Sequence, residues 1–165
     1  EQTIAAGEGR SELERMVDVD GELAYANGEV YAAAFNAQVM GVSLEGGRPL
    51  WNRELSSYAG LALAGDTLLA ADRDGVIWAL DRRTGAALWK QDMLSHRWLS
   101  SPAIQGNHVV FGDVEGYLHW FDLQTGQPAA RQRLDRNPIR ATPKVVNDLL
   151  YAVSTDGELG VYRIN

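Results

Sequence analysis

Short apolar runs separated by turn-forming pairs recur along the whole chain. Residues 23–26, 61–64, 103–105 and 144–146 each open a unit. The pairs Asn27-Gly28, Gly65-Asp66, Gly106-Asn107 and Asn147-Asp148 follow them. Such pairs tolerate positive φ and close tight hairpins. The second run of each unit is continuously apolar, over 30–35, 68–71, 109–111 and 149–153. A second turn carries Asp72-Arg73-Asp74-Gly75, Asp113-Val114-Glu115-Gly116 or Ser154-Thr155-Asp156-Gly157. Third strands are expected over 76–81, 117–122 and 158–164, and fourth strands over 49–55, 86–92 and 127–134. In an open antiparallel sheet one face meets water and the residues alternate. Second strands that are apolar on both faces therefore predict sheets packed between two others. No useful run of 3.6-residue periodicity appears, so helix is minor. The connectors 7–17 and 93–100 are the places for a helical turn.

The units repeat with a fixed step. Trp51 and Trp89 stand 38 apart, and Gly75, Gly116 and Gly157 are spaced by 41. Asp81, Thr84 and Gly85 return as Asp122, Thr125 and Gly126, while Leu80, Phe121 and Tyr162 keep the same step. A period near 40 with short strands is the signature of a propeller blade of four strands. The expected fold is all-β, a β-propeller segment of about four consecutive antiparallel blades. The blades are placed at 23–55, 61–93 and 101–134, with a three-stranded last blade at 141–165. Glu1–Ile4 reads as an orphan fourth strand and residues 1–22 as that strand plus a connector. A closed propeller completes such a last blade with a strand from its other terminus. The chain is thus expected to be part of a longer polypeptide that would supply that strand.

Composition is that of an ordinary globular domain, 45% hydrophobic and 22% charged. There is no cysteine, which removes disulfides, thiolate metal ligands and cysteine nucleophiles together. The chain contains no apolar stretch long enough to span a bilayer and no charged leader before an apolar core. Net charge is −7, and its placement is uneven: residues 1–22 hold seven acids against Arg10 and Arg15. Phosphate backbones demand a basic face, so nucleic acid is disfavoured as a partner. A basic protein surface would suit the acidic segment.

The most specific motif is Ala79-Leu80-Asp81-Arg82-Arg83-Thr84-Gly85-Ala86-Ala87-Leu88-Trp89. It resembles the A-x-D-x-x-T-G-x-x-x-W docking pattern of quinoprotein-type propellers. Weaker copies are 42–51, with Gly46-Gly47 at the turn, and 121–130, with Ala130 at the tryptophan position. Glycine permits the turn, and a flat indole can stack across it onto the adjacent blade. Trp51, Trp89, Asp81, Thr84 and Gly85 are therefore read as blade-docking residues. The motif does not itself imply the quinone. Quinone dehydrogenases of that class typically carry adjacent cysteines and a nearby calcium; this chain has no cysteine. Asp72-x-Asp74-Gly75 lacks the further ligands and closing glutamate of a calcium loop. His96, His108 and His119 have no metal-ligand spacing. Ser100 and Ser101 sit in no nucleophile elbow, and no glycine-rich phosphate loop exists. Arg131, Arg133, Arg136 and Arg140 read as an exposed edge strand and loop, where charge blocks edge pairing. No catalytic residue, cofactor or metal is expected, and the reading is non-enzymatic.

Five segments, 14–20, 27–32, 50–55, 96–102 and 112–120, carry a closer likeness. With Asp18-Val19-Asp20 and Gly116-Tyr117-Leu118-His119-Trp120 as the most particular, the chain resembles the BamB family over essentially its whole length. These are propeller lipoproteins of the outer-membrane β-barrel assembly machinery, and the likeness is to the C-terminal half. The resemblance implies an eight-bladed ring, held by an N-terminal lipid to the outer membrane on its periplasmic side. It implies a scaffold that binds the periplasmic POTRA domains of BamA and assists insertion of barrels, with unfolded outer-membrane clients as possible further partners. The family contact on an inter-blade connector, carried over, falls on Asp18 and Asp20. A Leu and Arg pair that completes the family contact has no counterpart in this chain. Apart from the resemblance, Asp18 and Asp20 would simply cap a turn.

Overall fold

The computed structural model describes residues 21–33 and 38–164. The expected strand Glu1–Ile4, the connector 7–17, Asp18 and Asp20, the end of the run 30–35 and Asn165 lie outside the described residues.

Among the described residues fifteen strands form four antiparallel sheets, and there is no helix. The first sheet holds β1 (Ala24–Ala26), β2 (Glu29–Ala33), β3 (Gln38–Ser43) and β4 (Pro49–Glu54). The second holds β5 (Ala62–Ala64), β6 (Thr67–Ala71), β7 (Ile77–Asp81) and β8 (Ala87–Gln91). The third holds β9 (Ala103–Gln105), β10 (His108–Gly112), β11 (Tyr117–Asp122) and β12 (Pro128–Arg133). The last has three strands, β13 (Lys144–Val146), β14 (Leu149–Val153) and β15 (Leu159–Arg163). Each sheet is a meander of consecutive hairpins. The first strands β1, β5, β9 and β13 are neighbours in series, so the sheets radiate from one side as propeller blades do. Strand β3 is the one element the repeat did not delimit, because no Asp-x-x-Gly signal precedes it. The connector 93–100 turns on itself without forming a helix.

The second strands show how the blades share a core. Successive side chains of a strand point to opposite faces. Leu68 and Ala70 of β6 pack into the first blade's side, with Tyr31, Ala33 and Val39. Leu69 and Ala71 of the same strand pack the other way, with Val109 and Phe111 of β10. Val110 of β10 then meets Leu150 and Ala152 of β14. Burial on both faces thus holds for β6 and β10, where all four residues from Leu68 to Ala71 are at most 1% exposed. The expectation fails in the last blade. Leu150 and Ala152 are buried against blade three, but the opposite face is open. That face carries Val146 of β13, Val153 of β14, and Leu159 and Val161 of β15, all exposed. The sequence of β14 is apolar on both sides, and among the described residues only one side is covered.

Candidate functional site

The blade-docking residues come together across blade boundaries, offset by one blade. The ring of Trp51, on β4, does not sit on its own turn. Its Nε1 donates to the carbonyl of Arg82 in the next blade at 2.6 Å. A methyl group on Gly85 would lie 2.5 Å from Trp51 Cε3, so the bare glycine backbone is what lets the indole lie flat. Trp89 repeats this one blade later: Nε1 donates to Leu123 O at 2.9 Å and the ring covers Gly126. Long polar side chains two residues on reinforce both junctions. Arg53 Nη1 donates to Gly85 O at 3.1 Å, and Gln91 Nε2 to Gly126 O at 3.0 Å. The turn beneath is fixed by its aspartate. Asp81 Oδ1 accepts the N–H groups of Arg83 and Thr84 and the Thr84 hydroxyl, each at 3.0 Å. Asp122 does the same for Gln124 and Thr125. These bonds stabilise the ionised form, and both carboxyls are held below their ordinary pKa. Thus Asp81 and Thr84 fix the turn whose Gly85 and Arg82 carbonyl meet Trp51, whereas Trp89 serves the following junction. Both tryptophans are half-buried, because they lie on outer strands where one edge of the ring still meets water.

The junction between blades three and four is built differently. Across β3 and β4, Gly41 faces Trp51; across β7 and β8, Ala79 faces Trp89. Across β11 and β12, Trp120 faces Ala130. The indole has moved one strand inward, and Trp120 is 5% exposed. Its Nε1 donates to Gln105 Oε1 at 2.8 Å. Gln105 Nε2 in turn donates to the carbonyls of Asp148 and Tyr162 in blade four. Ala130 is left lining a cleft of about 490 Å³ with His108, Trp120 and Tyr162.

The second turns use aspartate in a further way. Asp72 Oδ1 accepts from the N–H groups of Asp74 and Val76, and Oδ2 from Trp78 Nε1, so this carboxylate is occupied within its hairpin. Asp113 has the same backbone partners one blade on and is wholly buried. There Oδ2 lies 2.8 Å from His119 Nε2 and 2.6 Å from Arg97 Nη1. Burial opposes ionisation of Asp113, but the hydrogen bonds from His119, the Tyr117 N–H and Arg97 outweigh it and hold its pKa at about 2. Sequence reading missed this cluster. The 41-residue step from Asp72 to Asp113 pointed to the turn, but no spacing signal places Arg97, from a connector, beside it. His119 is thereby a structural partner of a carboxylate. Arg131 and Arg133 are exposed on β12 and lie over the ring of Tyr117 at 4.8 and 5.0 Å.

The connectors entering successive blades abut one another. Leu61 N donates to Glu22 O at 3.0 Å, and Gly60 N to Ser101 Oγ at 2.7 Å. A methyl on Gly60 would lie 2.6 Å from Glu22 N. The end of the acidic connector therefore sits on the same rim as the connectors 55–60 and 92–102. Asp18 and Asp20 precede that end by a few residues in sequence.

Radiating four-stranded meanders joined by Trp-on-glycine docking define a propeller of the quinoprotein-like repeat class. The model of the family described as outer membrane protein assembly factor BamB matches residues 1–91 and 73–165. The chain belongs to that family. It is 41% identical to the BamB of Xanthomonas campestris pv. campestris over 164 residues, 99% of this chain and 40% of the relative. It is 37% identical to that of Pseudomonas aeruginosa, over 99% of this chain and 43% of the relative. The chain therefore spans about two fifths of the length of these relatives. Among solved structures, BamB from Moraxella catarrhalis superposes with a TM-score of 0.88 at 30% identity, covering 96% of this chain and 48% of that one. The computationally designed Ika4 protein shares the fold at a TM-score of 0.79 and 18% identity, over 100% of this chain and 99% of that one.

Proposed function

We propose that this chain is a partial propeller domain, over 1–165, of a non-enzymatic scaffold that binds the periplasmic POTRA domains of BamA and assists assembly of β-barrels into the outer membrane. The observation that carries the reading is the family match along the whole chain, since the relatives are named as assembly factors. Location on the periplasmic side of the outer membrane belongs to the same reading. Asp18 and Asp20 are the partner-binding residues it assigns. The acidic excess of residues 1–22 supports them, because two carboxylates one residue apart can each accept charge-assisted hydrogen bonds from Arg or Lys. A quinone dehydrogenase reading has less support: the sequence has no cysteine, and the Asp72 carboxylate is occupied within its own hairpin. The test is binding of the full-length protein to isolated POTRA domains. Asp18→Arg with Asp20→Arg should abolish or strongly weaken it while leaving the circular dichroism spectrum unchanged. Removing one side of a buried, hydrogen-bonded charge pair costs about 2–5 kcal/mol, and a rim pair much less. Unchanged affinity would return both residues to the role of turn caps.

A further inference from the structure

The connector 92–102 displays an aromatic side chain that the fold leaves largely exposed. Trp98 is 66% exposed, although the residues beside and around it are tied down. Leu94 and Leu99 are buried, and Arg97 is anchored on Asp113 and Glu115. Ser95 N donates to Asp92 O, Arg97 N to Leu94 O, and His96 N to Asp74 O. His96 holds a φ of 66°, sparsely populated for a residue with a side chain and sustained by this network. The Trp98 ring packs against Tyr58 of the preceding connector, with ring centres 5.5 Å apart and planes tilted by 38°, and the Tyr58 hydroxyl accepts the Leu99 N–H at 3.0 Å. An exposed indole is thus held in one orientation before any partner arrives. Rigid aromatics of this kind are enriched among the residues that dominate interface energies.

The neighbourhood indicates what such a partner would carry. On this rim the Arg97 guanidinium is already shared between two carboxylates, exposed Asp74 lies 3.9 Å from the Arg73 guanidinium, and Asp92 is exposed, so carboxylates still outnumber the cations there. By sequence, the acidic connector adds Asp18 and Asp20. Its described end touches the connector that carries Tyr58, at Gly60, and Gly60 in turn touches Ser101, three residues past Trp98. A ring face in an acidic setting attracts an ammonium or guanidinium group. We propose that the Trp98–Tyr58 pair is an aromatic anchor that seats a cationic side chain of the same basic protein partner that Asp18 and Asp20 contact. The proposal rests on the partner reading above and extends that surface by two connectors.

The experiment is biolayer interferometry of full-length protein against POTRA domains, with Trp98→Ala, Trp98→Phe, Trp98→Arg and the Asp18→Arg/Asp20→Arg double variant. Trp98→Ala should weaken binding at least about tenfold, the loss of one interface anchor. Trp98→Phe should stay within about threefold, and Trp98→Arg should weaken binding more than Ala by placing like charge against the cation. Thermal midpoints of all three should match the parent, since the ring buries little within the fold. If the aspartate reversal weakens binding and the Trp98 variants do not, the anchor is refuted and the partner reading stands. If neither matters, both fail. Vesicles of phosphatidylethanolamine and phosphatidylglycerol form the second arm. Vesicle binding lost in Trp98→Ala, with POTRA affinity unchanged, would assign the ring to a lipid surface and overturn the proposal.

Discussion

Truncating Trp89 tests the docking geometry most directly. In Trp89→Ala the indole leaves Gly126 uncovered and Leu123 O loses its donor at 2.9 Å. Burying a tryptophan removes about 150–250 Å² from water, and Trp→Ala in a core costs about 3–5 kcal/mol. The ring here is only half-buried, which takes the packing loss to the lower end of that range. The lost hydrogen bond adds about 1 kcal/mol. A total near 3–4 kcal/mol is expected. In a protein of 150–250 residues each kcal/mol shifts the melting temperature by about 2–4 °C, so the midpoint should fall by roughly 6–16 °C. Differential scanning calorimetry reads this. Trp89→Phe keeps an aromatic ring on the strand but loses the donor and one of the two rings, including part of the surface that covers Gly126. It should cost about 1–2 kcal/mol. A midpoint within about 2 °C of the parent in Trp89→Ala would refute the docking role and leave the indole a bystander on the rim.

Acid should loosen the junction between the 92–102 connector and blade three. Asp113 titrates at about 2 when folded against 3.8 ordinarily, so its contribution is full above about pH 4 and is lost as pH falls through 2. That difference corresponds to about 2 kcal/mol. Asp113→Asn should be less stable at neutral pH and should flatten the stability–pH curve between pH 4 and 2; an unchanged slope in urea melts would refute the cluster's role. The open face of the last blade should drive association of the isolated chain, through Val146, Val153, Leu159 and Val161. Leu159→Lys with Val161→Lys should lower the mass found by light scattering at high concentration, and a strictly monomeric parent would count against the open face.

Most of the architecture was legible because propeller blades advertise themselves. The turn pairs, the two-sided second strands and the Asp-Thr-Gly corner each have a local cause that survives any tertiary context. Strand β3 was not delimited because its preceding residues lack the turn chemistry of the later copies. What sequence could not show was direction. The motif places Gly85 and Trp89 in one segment, yet the stacking partner of Gly85 is Trp51, from the blade before. Nor could the interior position of Trp120 be read, because the chain there shows only an alanine where tryptophan was expected. The rigid display of Trp98 depends on Tyr58, forty residues away in sequence. Asp18 and Asp20 were marked by acidity and by family likeness, and neither depends on coordinates.

The facing pairs Gly41–Trp51, Ala79–Trp89 and Trp120–Ala130 have an evolutionary consequence. Each of these three blades holds one bulky ring and one small residue at that cross-strand position, and both orders occur. Enlarging one member crowds the other: a methyl on Gly41 would lie 2.9 Å from Trp51 Nε1. Gln105 shows what makes the exchange workable. It relays the inward indole's hydrogen bond to the carbonyls of the following blade. Counting units by a tryptophan at one column therefore undercounts them. Summing the sizes of the facing couple finds the unit that the single column misses.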